Sequence, residues 1–234
     1  MTTTTRIPTA DQGALDAYLS FPQSGSGPGI VVLQEIFGVN DYVKGAADRL
    51  AQIGYVACAP GLFWRIEPGA TMEHNETGLK RAITFAQRLD HQKATEDAIS
   101  TLSSLQQLPQ VTAPRAALLG LCLGGTLAFA AAIHGDPAAA VCYYGSGIAD
   151  LLAEADRVTC PVLLHFGGKD QYIPREQIDR VAAYAETREN FECHIHEDAG
   201  HAFDNPSPMF HHAAAAAEAW QITAAFLKRH LGGH

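Results

Sequence analysis

The chain is poor in cations and holds no run of them. Lysine and arginine number 16 against 25 aspartates and glutamates, for a formal net charge of −9. Nucleic acid and anionic membrane surfaces are therefore not expected as partners, since both are held mainly by clustered positive charge. Long apolar runs are missing too. None approaches the ~20 residues that cross a bilayer, and Met1-Thr-Thr-Thr-Thr-Arg6 carries no apolar signal-like region. A cytoplasmic location with no membrane partner is the expectation. Cysteine is sparse: Cys58, Cys122, Cys142, Cys160 and Cys193 make an odd number without the paired spacing of a disulfide framework or a zinc ribbon. Neither a structural metal nor a cofactor is expected.

The 234 residues suit a single α/β domain over residues 1–234. Residues 1–28 read as an antiparallel lead-in, with Leu15 to Leu19 alternating as a half-buried strand and a Gly/Ser/Pro-rich turn after Pro22. Five further apolar runs, at residues 29–33, 55–59, 116–119, 139–144 and 161–166, are strands covered on both faces. Residues 191–196 alternate like a strand nearer the sheet edge. Helical spacing fills the intervals: after an Asn40 or Asp41 cap, from near Leu79, from 94 to 105, from 126 to 133, from 148 to 155, from 174 to 188 and from 212 to 230. Residues 60–78 lack clear periodicity and hold Trp64, Arg65, Glu67 and His74; loops of that length are often functional. Strand and helix alternate, which gives a mostly parallel, doubly wound sheet with an antiparallel N-terminal lead-in, the α/β-hydrolase layout.

Within that layout one stretch stands out. Gly120-Leu-Cys122-Leu-Gly-Gly125 joins an apolar strand to a small-residue helix. Glycines two before and two after a central residue are the mark of the nucleophile elbow, a strained turn that lifts one side chain above the sheet. Taken alone, the same pattern also describes a tight turn around an inert buried thiol. Downstream, Asp170 and His201 each follow a predicted strand, in the order nucleophile, acid, histidine that this fold uses. A turn-fixing aspartate and one of eleven surface histidines would be the bland alternatives. Three residues in the right order at one sheet edge favour an acyl-transfer site. This fold draws its oxyanion donors from the residue after the nucleophile and from an earlier strand–helix loop, here the N–H groups of Leu123 and Ile36. His165, inside an apolar strand, is expected to be a hydrogen-bonded core residue. His194 and His196 share a face but lack the carboxylate or thiolate company of a zinc site. His211, His212, His230 and His234 read as polar positions of the terminal helix and tail.

Several words of the sequence resemble the dienelactone hydrolase (carboxymethylenebutenolidase) family: Gln34-Glu-Ile-Phe-Gly-Val-Asn40, Ala59-Pro-Gly-Leu62, the cysteine elbow, Cys142-Tyr-Tyr-Gly145, Gly167-Gly-Lys-Asp170 and Ala199-Gly-His-Ala-Phe203. The resemblance implies a Cys122–His201–Asp170 triad with Glu35 as a further carboxylate beside the thiol. From its position alone, Glu35 is either a strand-end acceptor for loop N–H groups or the group that keeps a resting thiol neutral and so protected from oxidation. The activity implied is cysteine-dependent hydrolysis of a small-molecule lactone or ester through an acyl-thioenzyme, by a monomer or small homo-oligomer. A broader carboxylesterase or thioesterase, or a non-catalytic ligand-binding or redox-sensing protein of the same fold, remain as alternatives.

Arg81, Phe37, Phe85, Tyr144 and Phe203 are expected to contact substrate. Family members that act on dienelactone hold its free carboxylate with two arginines. Arg81 matches the first, but Ala202-Phe203-Asp204-Asn205 puts aspartate or asparagine where the second would stand. The expected preference is therefore for neutral lactones and esters, unless Arg65 or Arg88 supplies the missing charge.

Overall fold

The computed structural model describes residues 1–232; Gly233 and His234, the last of the tail histidines named above, lie outside the described residues. Strands β1 (Thr2–Pro8), β2 (Ala14–Ser20), β3 (Gly29–Leu33), β4 (Val56–Pro60), β5 (Ala117–Leu121), β6 (Ala140–Tyr143), β7 (Val162–Gly167) and β8 (Phe191–His196) form one sheet. Their spatial order is β1-β2-β4-β3-β5-β6-β7-β8. The β1–β2 and β2–β4 pairs are antiparallel and every other pair is parallel. This is the α/β-hydrolase sheet.

Burial explains which run became which strand. Every residue of β3 to β7 is buried, as continuous apolar runs must be when helices cover both faces. β8 lies at the sheet edge and is only partly covered, which is why its sequence alternates. At the opposite edge β1 is mostly exposed and threonine-rich.

Helix α1 (Asp41–Gln52) starts at Asn40, whose side chain accepts from the Val43 N–H at 3.2 Å. Helix α2 (Glu76–Arg88) begins earlier than its apolar spacing predicts, because Asn75 caps it by accepting from the Gly78 N–H at 2.8 Å. The same holds for α3 (His91–Gln106), capped by Asp90. Helix α4 (Leu123–His134) follows β5 with only Cys122 between them, and it packs on β5, β6 and α3. A short α5 (Ile148–Leu151) continues as a 3₁₀ turn to Arg157; α6 (Arg175–Glu186) and α7 (Ala213–Leu231) complete the layers.

The aperiodic segment after β4 has no helix or strand of its own until α2, yet it is tied down. Phe63, Ala70 and Met72 are buried. Trp64 Nε1 donates to Asp97 Oδ2 at 2.8 Å, and the Arg65 guanidinium reaches both Asp97 and Asp11. Asp97 is buried on α3, where an unpaired carboxylate would be costly, so these donors anchor the loop to the helix. Arg65 is consumed by that task. His165 is buried between β6 and β8, with hydrogen-bond contacts to His196 at 3.2 Å and Thr223 at 3.1 Å.

Candidate active site

At the end of β5 the backbone turns through Cys122 with φ 54° and ψ −113°. Such a conformation in a non-glycine residue costs on the order of 1–3 kcal/mol and persists only where the surroundings enforce it. The glycines are the means of enforcement. A Cβ on Gly120 would meet the Gly124 carbonyl oxygen at 1.9 Å, and one on Gly124 would meet the Leu33 carbonyl oxygen at 2.2 Å. Turn, helix start and the neighbouring β3 end are thus in backbone contact that no side chain could enter. Two further non-glycine residues with positive φ, Tyr144 (38°) and Ala202 (55°), lie around the same site. Backbone strain is concentrated here.

The parallel strands all deliver their following loops to one edge, and there three side chains line up. Cys122 Sγ stands 3.0 Å from His201 Nε2, and His201 Nδ1 stands 2.7 Å from Asp170 Oδ2. Asp170 Oδ1 accepts from the Tyr172 and Ile173 N–H groups at 2.8 and 3.0 Å, which locks the carboxylate. Facing a carboxylate, Nδ1 carries the imidazole proton, and Nε2 is left free to accept one from sulfur. Burial works against protonating His201; negative charge on the Cys122 sulfur, once its proton has moved, and on the Asp170 carboxylate outweighs it and raises the imidazole well above its ordinary value. The ring is held between Tyr144 and Tyr172, at centroid distances of 5.2 and 5.1 Å.

Over the thiol opens a cavity of about 900 Å³ whose wall includes Ile36, Cys122, Leu123 and Thr126. The Ile36 and Leu123 backbone N–H groups make no hydrogen bond to the described residues. At Leu123 this follows from its place as the first residue of α4, where helix N–H groups have no partner within the helix. A thiol, an oriented imidazole and two free N–H donors at one cavity can attack a carbonyl, move the proton and receive the oxyanion.

Residues 15–231 match the model of the dienelactone hydrolase family. The chain belongs to that family. It is 36% identical to a protein of Azospirillum brasilense named "Putative carboxymethylenebutenolidase", over 97% of this chain and 98% of that one. It is 31% identical to the carboxymethylenebutenolidase of Pseudomonas putida, over 90% of this chain and 89% of that one. Among solved structures, the "Putative Dienelactone Hydrolase" of Klebsiella pneumoniae superposes with a TM-score of 0.84 at 25% identity, covering 98% of each chain. The enzyme class of the family is carboxylic ester hydrolysis, and this dienelactone hydrolase family member is a hydrolase of that class. No helix among the described residues is long and apolar enough to cross a membrane.

The other residues singled out from the sequence are distributed differently from expectation. Glu35 is buried, but its Oε2 accepts from Asn205 Nδ2 at 2.9 Å and lies 3.3 Å from His74 Nε2. No hydrogen bond joins it to Cys122, whose partner is His201. Arg81 is turned to Glu67, which it holds through both carboxylate oxygens at 2.7 and 2.8 Å. Phe85 packs edge-on against Phe63, and Phe203 is fully buried against Tyr144. Phe37 packs against His74 with its ring tilted by 60°. None of Arg81, Phe37, Phe85, Tyr144 and Phe203 lines the cavity over Cys122. For the aromatics the reason is burial: each fills the core beneath or beside the site. Tyr144 instead hydrogen-bonds Tyr42 at 3.0 Å, and Tyr42 donates to buried Asp204 at 2.8 Å, which also holds Arg49.

Two groups escaped the sequence reading. His74, noted only as a loop residue, joins Glu35 and Asn205; its position in a long ordered loop was the one available signal. The far wall of the cavity, built by α3 and the exposed stripe of α4, left no motif at all.

Proposed function

We propose that this enzyme hydrolyses neutral esters and lactones through an acyl-thioenzyme on Cys122. The observation that carries this reading is the unbroken line Cys122 Sγ–His201 Nε2 and His201 Nδ1–Asp170 Oδ2, at 3.0 and 2.7 Å, set at a strained elbow. His201 takes the thiol proton as sulfur attacks the carbonyl carbon. The resulting oxyanion is received by the N–H groups of Leu123 and Ile36. His201 then gives its proton to the departing oxygen, and water, activated by the same imidazole, releases the acid and restores the thiol. Asp170 keeps the imidazole in the tautomer that both steps need. Glu35, held by Asn205, sets the local charge around the site rather than touching the sulfur.

The preference for neutral substrates follows from the cavity wall, which contains no lysine or arginine. Arg81 is paired with Glu67 and Arg65 with Asp97 and Asp11. A hydrogen bond to a charged group contributes roughly 1.5–3 kcal/mol, so a substrate carboxylate that finds no cation forfeits about 10- to 100-fold in capture.

The test is turnover of p-nitrophenyl acetate by wild type and by Cys122→Ala. Loss of ~10³-fold or more in kcat is expected when one member of a cooperating nucleophilic unit is removed; near-wild-type turnover sinks the thioester mechanism. In the same assays a carboxylate-bearing lactone should be a poorer substrate than its neutral methyl ester.

A further inference from the structure

The cavity does not stop at the thiol. Along α4 the partly exposed or exposed positions are Thr126, Ala130 and His134, which continue the four-residue spacing begun at Cys122. All four line one continuous cavity. Residues four apart are neighbours on a helix surface, so this is a groove running away from the sulfur along α4, slightly inclined to the helix axis. Its floor is made of small side chains, Thr126 and Ala130, with Leu123 and Leu127 beside them, and Ile99 of α3 and Leu151 at the end of α5 form apolar walls. The α3 side is mixed, with His91, Gln92, Thr95 and Glu96 adding polar side chains as Ser146 does near the elbow, and His134 closes the far end in water, so the apolar strip is the one along α4. Eight residues of helix, from Cys122 to Ala130, rise about 12 Å. That is the reach of an octanoyl to decanoyl chain.

From this geometry we infer that the groove is an acyl-chain subsite and that the enzyme acts on esters of medium-length aliphatic acids; the inference rests on the thioester reading above. The assignment to the acyl side comes from His201. The departing alcohol oxygen must lie against His201 Nε2 to receive its proton, and no residue of the Asp170 or His201 loops lines the groove. With the leaving group on the His201 side, the acyl chain is the part of the substrate that points down α4. The small size of Thr126 and Ala130 is what leaves room for it.

Chain-length dependence of kcat/KM for p-nitrophenyl acetate, butyrate and octanoate tests the assignment. Each buried methylene is worth enough that octanoate should exceed acetate by about 10- to 100-fold. Ala130→Phe, which fills the groove midway, should lower the octanoate-to-acetate ratio by ~10-fold or more, and Thr126→Leu supplies the same obstruction if the first variant does not fold. A flat chain-length profile in an active enzyme overturns the subsite while leaving the thioester mechanism standing. A rising profile that neither obstruction alters places the chain elsewhere and also overturns it. Absence of turnover with every ester is the separate failure of the hydrolase mechanism, and the subsite falls with it.

Discussion

Asn205 Nδ2 lies 2.9 Å from Glu35 Oε2, and both side chains are closed off from solvent. The orientation of the amide is set from its other end, because Asn205 Oδ1 accepts from the Ser207 N–H at 2.9 Å. The NH₂ group must then face inward, where it also meets His74 Nε2 at 2.9 Å. Asn40 Nδ2 approaches the same nitrogen at 3.4 Å, with its own Oδ1 committed to the cap of α1. Two amide groups and the Glu35 carboxylate, at 3.3 Å, converge on His74 Nε2. A neutral amide, or beside it the carboxylate of Asp204, thus stands where the family resemblance leads one to expect a cation.

Asn205→Asp keeps the shape of this cluster and replaces its donor with a second carboxylate beside Glu35. Two buried like charges raise one another's pKa, so the folded carboxyl at 205 would sit above its unfolded value and the variant would lose stability as pH rises. A deficit of ~3 kcal/mol relative to wild type is expected at pH 8 and a much smaller one near pH 4. Urea denaturation at the two pH values measures it; equal deficits would mean that Glu35 does not feel position 205.

Glu35→Gln should fold normally, since glutamine can still accept from Asn205 through its carbonyl oxygen. The change removes a buried negative charge near the elbow. The pH profile of Cys122 alkylation by iodoacetamide should move and turnover should slow. A superimposable alkylation profile would leave Glu35 as a strand-end acceptor and nothing more.

Asp170→Asn separates orientation from folding. The asparagine Oδ1 can keep both backbone contacts, to Tyr172 and Ile173. Its NH₂ then faces His201 Nδ1 and forces the proton onto Nε2, the nitrogen that has to accept from sulfur. A fall of ~10⁴-fold in kcat with an unchanged melting temperature is expected. Retained activity would show that Asp170 serves only the loop.

Acid should destabilise the fold through the histidines of β7 and β8. Burial lowers His165 well below its ordinary value of 6.5, assisted by His196 and His194. His196 is also lowered by burial, against the pull of Glu218 and with His194 and His212 nearby. For both groups the unfolded chain binds more protons than the folded one once pH drops below 6.5. Stability is therefore full above that value and declines as pH falls, by up to ~1.4 kcal/mol per unit for each group. His201 has the opposite sign and a different window: its raised value adds stability that is complete below 6.5 and lost at alkaline pH. Unfolding free energies from pH 5 to 9 should pass through a maximum near neutrality, with the acid limb flattened in His196→Gln. A wild-type curve flat from pH 7 to 5 would rule out the histidine account.

The sheet was legible because strand burial is written in composition. Runs such as Gly29 to Leu33 can only be covered on both faces, and the glycines around Cys122 admit only backbone neighbours. The order of Cys122, Asp170 and His201 was legible for a related reason: in a parallel sheet every strand ends on the same edge, so residues far apart in sequence must meet there. Helix starts were read late at α2 and α3, since polar caps at Asn75 and Asp90 extend a helix beyond its apolar face.

What surrounds those three residues was decided only in three dimensions. Phe85 and Phe203 have the chemistry of a substrate wall, but which side of an aromatic faces solvent depends on the layer packed over it. Arg81 has the charge to hold an anion, yet Glu67, from a loop without periodicity, takes it. The meeting of Glu35, His74 and Asn205 joins a strand end, a long loop and the segment after the histidine, three pieces whose distances no local pattern encodes. By itself the sequence determined the fold and the line of the candidate triad, because both follow from local backbone constraints and strand order. Charge pairing, the cavity wall and the groove along α4 were left to tertiary packing, because a side chain's partner is whichever group the fold brings within reach.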